Sequence, residues 1–209
     1  MSASILRTST TLAVIAALCT LLVAGTWQLT REKIRDNEQA YLESSLRPVL
    51  PDLEFGASIT QSRMILEPPH GLPGSEPAVI YRVYDDGRPV AALFAVTARD
   101  GYAGPIRVLI GIREDGTVSG VRILSHRETP GLGDRIVASR SDWLQQFPGK
   151  SLGEPPLPAW HLETDGGEFD QITGASVTPR AVLRAIRETL LYFTENRDAV
   201  FATAQAQEQ

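Results

Sequence analysis

The chain has 209 residues, 43% of them apolar and 22% charged, which is enough for one buried core and argues against wholesale disorder. Its net charge of −5 is the wrong sign for a nucleic-acid binder. A single cysteine, Cys19, excludes an internal disulfide and a multi-cysteine zinc or iron–sulfur site; His70, His126 and His161 stand far apart, without the spacing of a metal site.

The basic end comes first. Residues 1–35 hold Arg7, Arg31, Lys33 and Arg35 against Glu32, leaving the remainder of the chain at −8. Between Arg7 and Arg31 lie 23 uncharged residues, Thr8 to Thr30. As a helix they would span roughly 34 Å, enough for a bilayer core of about 30 Å. Trp27 falls where an interfacial aromatic belongs. The preferred reading is a single transmembrane anchor over residues 1–30. A cleaved signal peptide ending near Val23-Ala24-Gly25 competes with it. So does a lipoprotein signal at Cys19, against which the bulk of Leu18 counts, and so does a buried helix. Charge alone leaves the orientation open, because basic residues flank both ends.

Residues 31–47 read as a helical stalk with a sparse stripe of Ile34, Tyr41, Leu42 and Leu46, ended by Pro48 and Pro51; the stalk region is set at 31–50. Residues 67–77, with four prolines and two glycines, predict a loop. Four strands follow: Val79–Tyr84 and Val90–Thr97 around Asp86-Gly87, then Arg107–Ile112 and Val118–Leu124 around Asp115-Gly116. Asp-Gly between apolar runs predicts a hairpin, because glycine accepts positive φ. Two hairpins in succession predict an antiparallel sheet, and helices are expected at 133–147 and near the C-terminus. The fold class is therefore α+β, an antiparallel sheet with flanking helices behind the N-terminal span. The soluble domain is set at 51–200 and a flexible tail at 201–209.

The C-terminal helix carries an apolar face of Val182, Ile186, Leu190 and Phe193. Pro179 suits a first helical position, which makes Thr178 the expected N-cap. A Thr-Gly-Ala-Ser loop leading into a helix start with no nearby acid is a plausible anion cradle. Read from the residues alone, Thr-Pro is also an ordinary helix start.

The hexad Thr173-Gly174-Ala175-Ser176-Val177-Thr178 resembles the S/T-G-A-T/S-x-T/S motif of flavoproteins with covalently attached FMN. Its flanks, Phe169-Asp170-Gln171 and Pro179-Arg180-Ala181-Val182, resemble the G-subunit family of the Rnf/Rsx electron transport complex. They fit it better than the C subunit of the sodium-pumping NADH:quinone reductase. His126-Arg127-Glu128-Thr129-Pro130-Gly131-Leu132-Gly133-Asp134-Arg135-Ile136 resembles that family's E-T-P-G-L-G block, and Gly101-Tyr102-Ala103-Gly104-Pro105-Ile106 resembles its G-Y-x-G block.

The resemblance implies FMN joined through its phosphate to Thr178, with Thr173, Gly174, Ala175, Ser176 and Val177 around it. It also implies that Glu128, Thr129, Gly131 and Leu132 contact the flavin. Gly131 and Gly133 would leave backbone open to a flat ring, and Ser176 would meet the ribityl or phosphate region. Arg180 and Arg184 would face either phosphate or solvent. The implied protein is an electron-carrying subunit of an ion-translocating oxidoreductase complex, with no independent catalysis. Its domain is periplasmic on a single-pass anchor in the bacterial inner membrane. Its partners would be the other subunits of the complex, with a flavin transferase for maturation and no nucleic acid. A membrane-tethered sensory or scaffold module that relays no electrons is the alternative. No G-x-G-x-x-G after a strand, P-loop or C-x-x-C is present, and no Ser/His/Asp arrangement can be argued from spacing.

Overall fold

A computed structural model describes residues 7, 9, 10, 12, 13, 15–20, 49, 50, 62–85 and 87–202 of the chain. The chain divides into two compact units, residues 1–43 and 44–209.

In the first unit the described residues between 7 and 20 are helical. Leu12, Ile15 and Leu18 are exposed on this helix. The Thr20 hydroxyl donates to the Ala16 carbonyl at 2.8 Å, so a polar group in an apolar stretch finds its partner within its own helix. Among the described residues no helix is long and apolar enough to cross a membrane. The expected span runs on to Thr30, and its second half lies outside the described residues, as does the expected stalk at 31–47.

The second unit is built on a five-stranded antiparallel sheet in the order β1-β2-β3-β4-β5. The strands are β1 (Arg63–Leu66), β2 (Ala78–Asp85), β3 (Arg88–Ala98), β4 (Ile106–Arg113) and β5 (Val118–Ser125). Both expected hairpins form, with strands slightly longer than their apolar runs. In the second, the Thr117 amide and hydroxyl donate to Asp115 Oδ1 at 2.9 and 2.6 Å, while Gly116 takes φ +86°. The aspartate side chain thus closes the turn that glycine's freedom permits.

The strand β1 was not among the expected ones. Its four residues alternate exposed and half-buried at the sheet edge, and its apolar run, Met64-Ile65-Leu66, is only three residues long. Residues 67–77 form the expected loop between β1 and β2.

The central strand β3 is buried on both faces from Ala91 to Ala98. Its side chains alternate with period two. Ala92, Phe94, Val96 and Ala98 join the main core, whereas Ala91, Leu93 and Ala95 join a second cluster with Val49, Leu50, Val83 and Leu109. The second cluster needs a close approach by the chain before β1. Gly111 of β4 and Gly120 of β5 stand opposite each other in the ladder. A Cβ on Gly120 would lie 2.9 Å from the Val49 backbone, and one on Gly111 would lie 2.6 Å from Val49 Cγ1. Two facing glycines therefore make the recess in which Val49 sits.

The main core is closed by the C-terminal helix, Val177–Phe201. Val182, Ile186, Leu190 and Phe193 are all buried, as their spacing predicts. Burying each is worth about 1.5–3 kcal/mol, and this holds a helix whose isolated stability would be small. Phe193 meets Phe94 of β3 edge to face at 6.1 Å. The helix end is tied to β2, where Tyr84 Oη donates to the Phe201 carbonyl at 2.9 Å and Arg82 to that of Ala202 at 2.5 Å. Carbonyls that lack partners within the helix are satisfied in this way.

No continuous helix forms over 133–147. Two short 3₁₀ turns, Gly133–Ile136 and Trp143–Gln146, stand there instead. Ile136, Trp143, Leu144 and Phe147 in this stretch are nevertheless buried in the core. The chain between them leaves helical geometry, with Val137 extended at φ −88° and ψ 134°.

Candidate functional site

Three chain segments meet at one end of the sheet. The first is the turn before β4, containing Tyr102. The second is the loop after β5, Glu128 to Gly133. The third runs from Gly174 to Thr178 at the start of the C-terminal helix. Between them lies a cavity of about 320 Å³, walled by Tyr102, Glu128, Thr129, Leu132, Gly133 and residues 174–178.

Local chemistry shapes the third segment. The Ala175 amide donates to the Ile172 carbonyl at 3.0 Å, closing a tight turn across Thr173-Gly174. Gly174 takes φ +84°, which an L side chain rarely adopts, and a Cβ there would press on Leu132 Cδ2 at 3.2 Å. The turn is carried on an aromatic cluster. Phe169 lies 5.3 Å from Phe147 and 4.7 Å from Trp160, ring centre to ring centre. Trp143 Nε1 donates to the Asp170 carbonyl at 2.7 Å, and the Asp170 amide donates to Gln146 Oε1 at 2.7 Å. The role of Asp170 seen here is thus a backbone one.

Thr178 is not the N-cap. The helix begins at Val177, Ser176 precedes it, and no side chain caps the first turn. Thr178 and Pro179 are its second and third residues. Proline is tolerated there because the first-turn amides have no carbonyl behind them to bond. Released from capping, the Thr178 hydroxyl turns inward and donates to Glu128 Oε2 at 2.5 Å. The second oxygen, Oε1, accepts from the Ala103 amide at 3.1 Å, and the Glu128 amide donates to His126 Nδ1 at 3.1 Å. Glu128 is 4% exposed and Thr178 1%. A buried carboxylate is costly unless its oxygens are bonded, and here both are.

Gly133 completes the arrangement. A Cβ on it would lie 2.7 Å from Glu128 Oε2 and 2.9 Å from Thr178 Oγ1. The openness expected of this glycine serves the Glu128–Thr178 pair. Gly131 differs: its φ of +78° requires a glycine, with open space where a Cβ would stand. The mouth of the cavity is apolar, with Tyr102 71%, Leu132 45% and Val177 40% exposed.

The sequence-derived residues therefore divide. Glu128, Thr129, Leu132, Gly174, Ala175, Ser176, Val177 and Thr178 share one cavity. Thr173 lies beyond it, in a neighbouring hollow with Asp142 and Asp170, and Gly131 is outside the wall. Arg180 pairs with Asp165 through two bonds of 2.7 and 2.8 Å, and Arg184 with Asp100 at 2.5 Å; neither arginine lines the cavity. Tyr102 was missed as a site residue, although the G-Y-x-G block that contains it was read. Among the described residues no group of histidines, cysteines and acids could hold a metal.

Comparison with known proteins assigns this architecture to a class. Residues 101–191, which contain all three walls of the cavity, match the family model of the FMN-binding domain. Residues 1–49 match that of the RnfG N-terminal region. The G subunit of the ion-translocating oxidoreductase complex of Vibrio atlanticus (strain LGP32) is 41% identical over 192 residues, covering 91% of each chain. That of Shewanella baltica (strain OS223) is 40% identical over 191 residues, 91% of this chain and 90% of the other. The Pseudomonas aeruginosa (strain UCBPP-PA14) protein of the same description is 38% identical over 205 residues, 97% and 95% of the two chains. The chain belongs to the G-subunit family of ion-translocating oxidoreductase complexes.

Proposed function

We propose that this chain is an electron-carrying flavoprotein subunit of a membrane-bound ion-translocating oxidoreductase complex, with FMN held by a phosphoester to Thr178 Oγ1. The observation that carries the reading is the position of that hydroxyl. It stands in the wall of a cavity formed jointly by the hexad, the E-T-P-G-L-G loop and Tyr102.

The residues present fit the group. The first turn of the C-terminal helix holds no acid, and its positive end favours a phosphate on its second residue. Tyr102, Leu132 and Val177 give the mouth the apolar surface that a flat aromatic ring would cover. Gly174 lets the chain turn tightly beside Leu132. Ser176 and Thr129 supply hydroxyls at the cavity wall. When bound, FMN accepts two electrons from one partner and passes them on singly; the protein supplies position and electrostatics.

The same reading assigns the domain to the periplasm, on an anchor that crosses the bacterial inner membrane once. The exposed Leu12, Ile15 and Leu18 and the internally bonded Thr20 hydroxyl support an anchor. The other subunits of the complex are the proposed partners, and a flavin transferase using FAD is the proposed source of the bond. A scaffold that relays no electrons is the second reading; in it the Thr178 hydroxyl would serve only to bond Glu128.

The intact mass of protein from its native membrane tests the reading. The expected result is one added FMN, located at Thr178 by peptide mapping and absent from Thr178→Val. An unmodified Thr178 peptide from functional complex would overturn it.

A further inference from the structure

We infer that the Glu128 carboxylate is the base that receives the Thr178 proton when the flavin phosphoester forms, so that the domain brings part of its own attachment chemistry. This rests on the proposed reading of Thr178 as the attachment site.

A threonine hydroxyl is a weak nucleophile near neutral pH and needs a base beside it. Glu128 Oε2 is 2.5 Å from Thr178 Oγ1, which donates to it, so the proton already points at the carboxylate. The Ala103 amide holds the other oxygen at 3.1 Å. Gly133 leaves no side chain to intrude on the pair. Both residues are buried, so little solvent reaches the hydroxyl to compete as acceptor. Among the described residues Oγ1 makes no other side-chain hydrogen bond. Both residues line the cavity, so the hydroxyl and its acceptor stand together where an incoming phosphorus would enter.

The step balances with a flavin dinucleotide as co-reactant. Thr178 Oγ1 attacks the phosphorus nearer the flavin, and the Oγ1–P bond forms. The bridging P–O bond of the pyrophosphate breaks, and the nucleoside monophosphate leaves with its electron pair. The Oγ1 proton passes to Glu128 Oε2; nothing is oxidised or reduced. Glu128, now neutral, faces the new phosphodiester as a hydrogen-bond donor. An ionised carboxylate in the same place would repel it.

The test uses the full-length chain purified without flavin, then supplied with flavin transferase and FAD. Covalent flavin is followed by intact mass and by fluorescence on denaturing gels. Glu128→Gln keeps the size and an acceptor for Ala103 but cannot take the proton. Its labelling rate is expected to fall about 10²- to 10⁴-fold, the usual contribution of a positioned base. Labelling of Glu128→Gln at the wild-type rate would overturn the inference while leaving Thr178 as the attachment site. If the Gln variant fails to fold, Glu128→Asp against Glu128→Asn compares carboxylate with amide at equal length, and equal rates are again fatal. A wild-type chain labelled elsewhere, or not at all, defeats the Thr178 reading itself.

Discussion

Gly133 lies directly against Thr178, and a methyl group on the glycine would come within 2.9 Å of the threonine hydroxyl and 2.7 Å of Glu128 Oε2. Both neighbours are buried and hydrogen-bonded to each other, so a shift of either one strains that bond. Gly133→Ala should therefore separate the pair, at a cost of about 1–3 kcal/mol for the overpacked methyl. The expected outcome is a lower thermal midpoint together with reduced covalent flavin. Differential scanning calorimetry and gel fluorescence on the same preparation check it. Gly131→Ala has open space for its methyl and only backbone strain to bear, so its flavin content should be the less affected.

The aromatic cluster behind the motif predicts a second dependence. Phe169 is buried between Phe147 and Trp160 and immediately precedes the backbone that Trp143 and Gln146 hold. Phe169→Ala removes that support and leaves a cavity, for which about 3–5 kcal/mol is typical. Urea denaturation should show that loss. Protease should cut the Gly166–Ser176 stretch in the variant under conditions where wild type is intact.

A third prediction concerns pH. The two-bond contact with Arg180 holds the Asp165 carboxyl below its ordinary value, with a smaller contribution from His161. A depressed folded-state value stabilises the fold above the unfolded-state pKa, and that stabilisation is lost as pH falls through the folded one. The pair is partly exposed and salt-screened, so its share of stability is small. Carbon NMR of the Asp165 carboxyl should titrate below the ordinary aspartate range, and Arg180→Gln should restore it. An unchanged midpoint in the variant would refute the pairing.

Much of the sheet was legible because local signals agreed with the tertiary answer. Asp115-Gly116 demands a turn, and the apolar runs on either side demand burial. The edge strand β1 was not, since Arg63-Met64-Ile65-Leu66 is short and gains its identity only by pairing with β2. The helix expected over 133–147 failed for the converse reason: Ile136, Trp143, Leu144 and Phe147 are buried without any helical ladder between the two turns. At the site, the hexad announced itself, but its cap was misplaced by two residues because proline suits more than one first-turn position. The bond between Thr178 and Glu128 spans 50 residues of chain. No pattern within one window of sequence carries such a contact, and Tyr102 reaches the cavity by the same kind of long-range folding.

The recess between Gly111 and Gly120 sets where a soluble fragment can begin. Leu93, Ala95 and Leu109 share their cluster with Val49 and Leu50. Proteolysis or truncation after Leu50 would strip two plugs from the rear of the sheet and expose a sticky apolar surface there. A fragment without residues 1–43 should keep both residues, and one starting at Pro51 should self-associate, a contrast that light scattering on the two fragments would reveal.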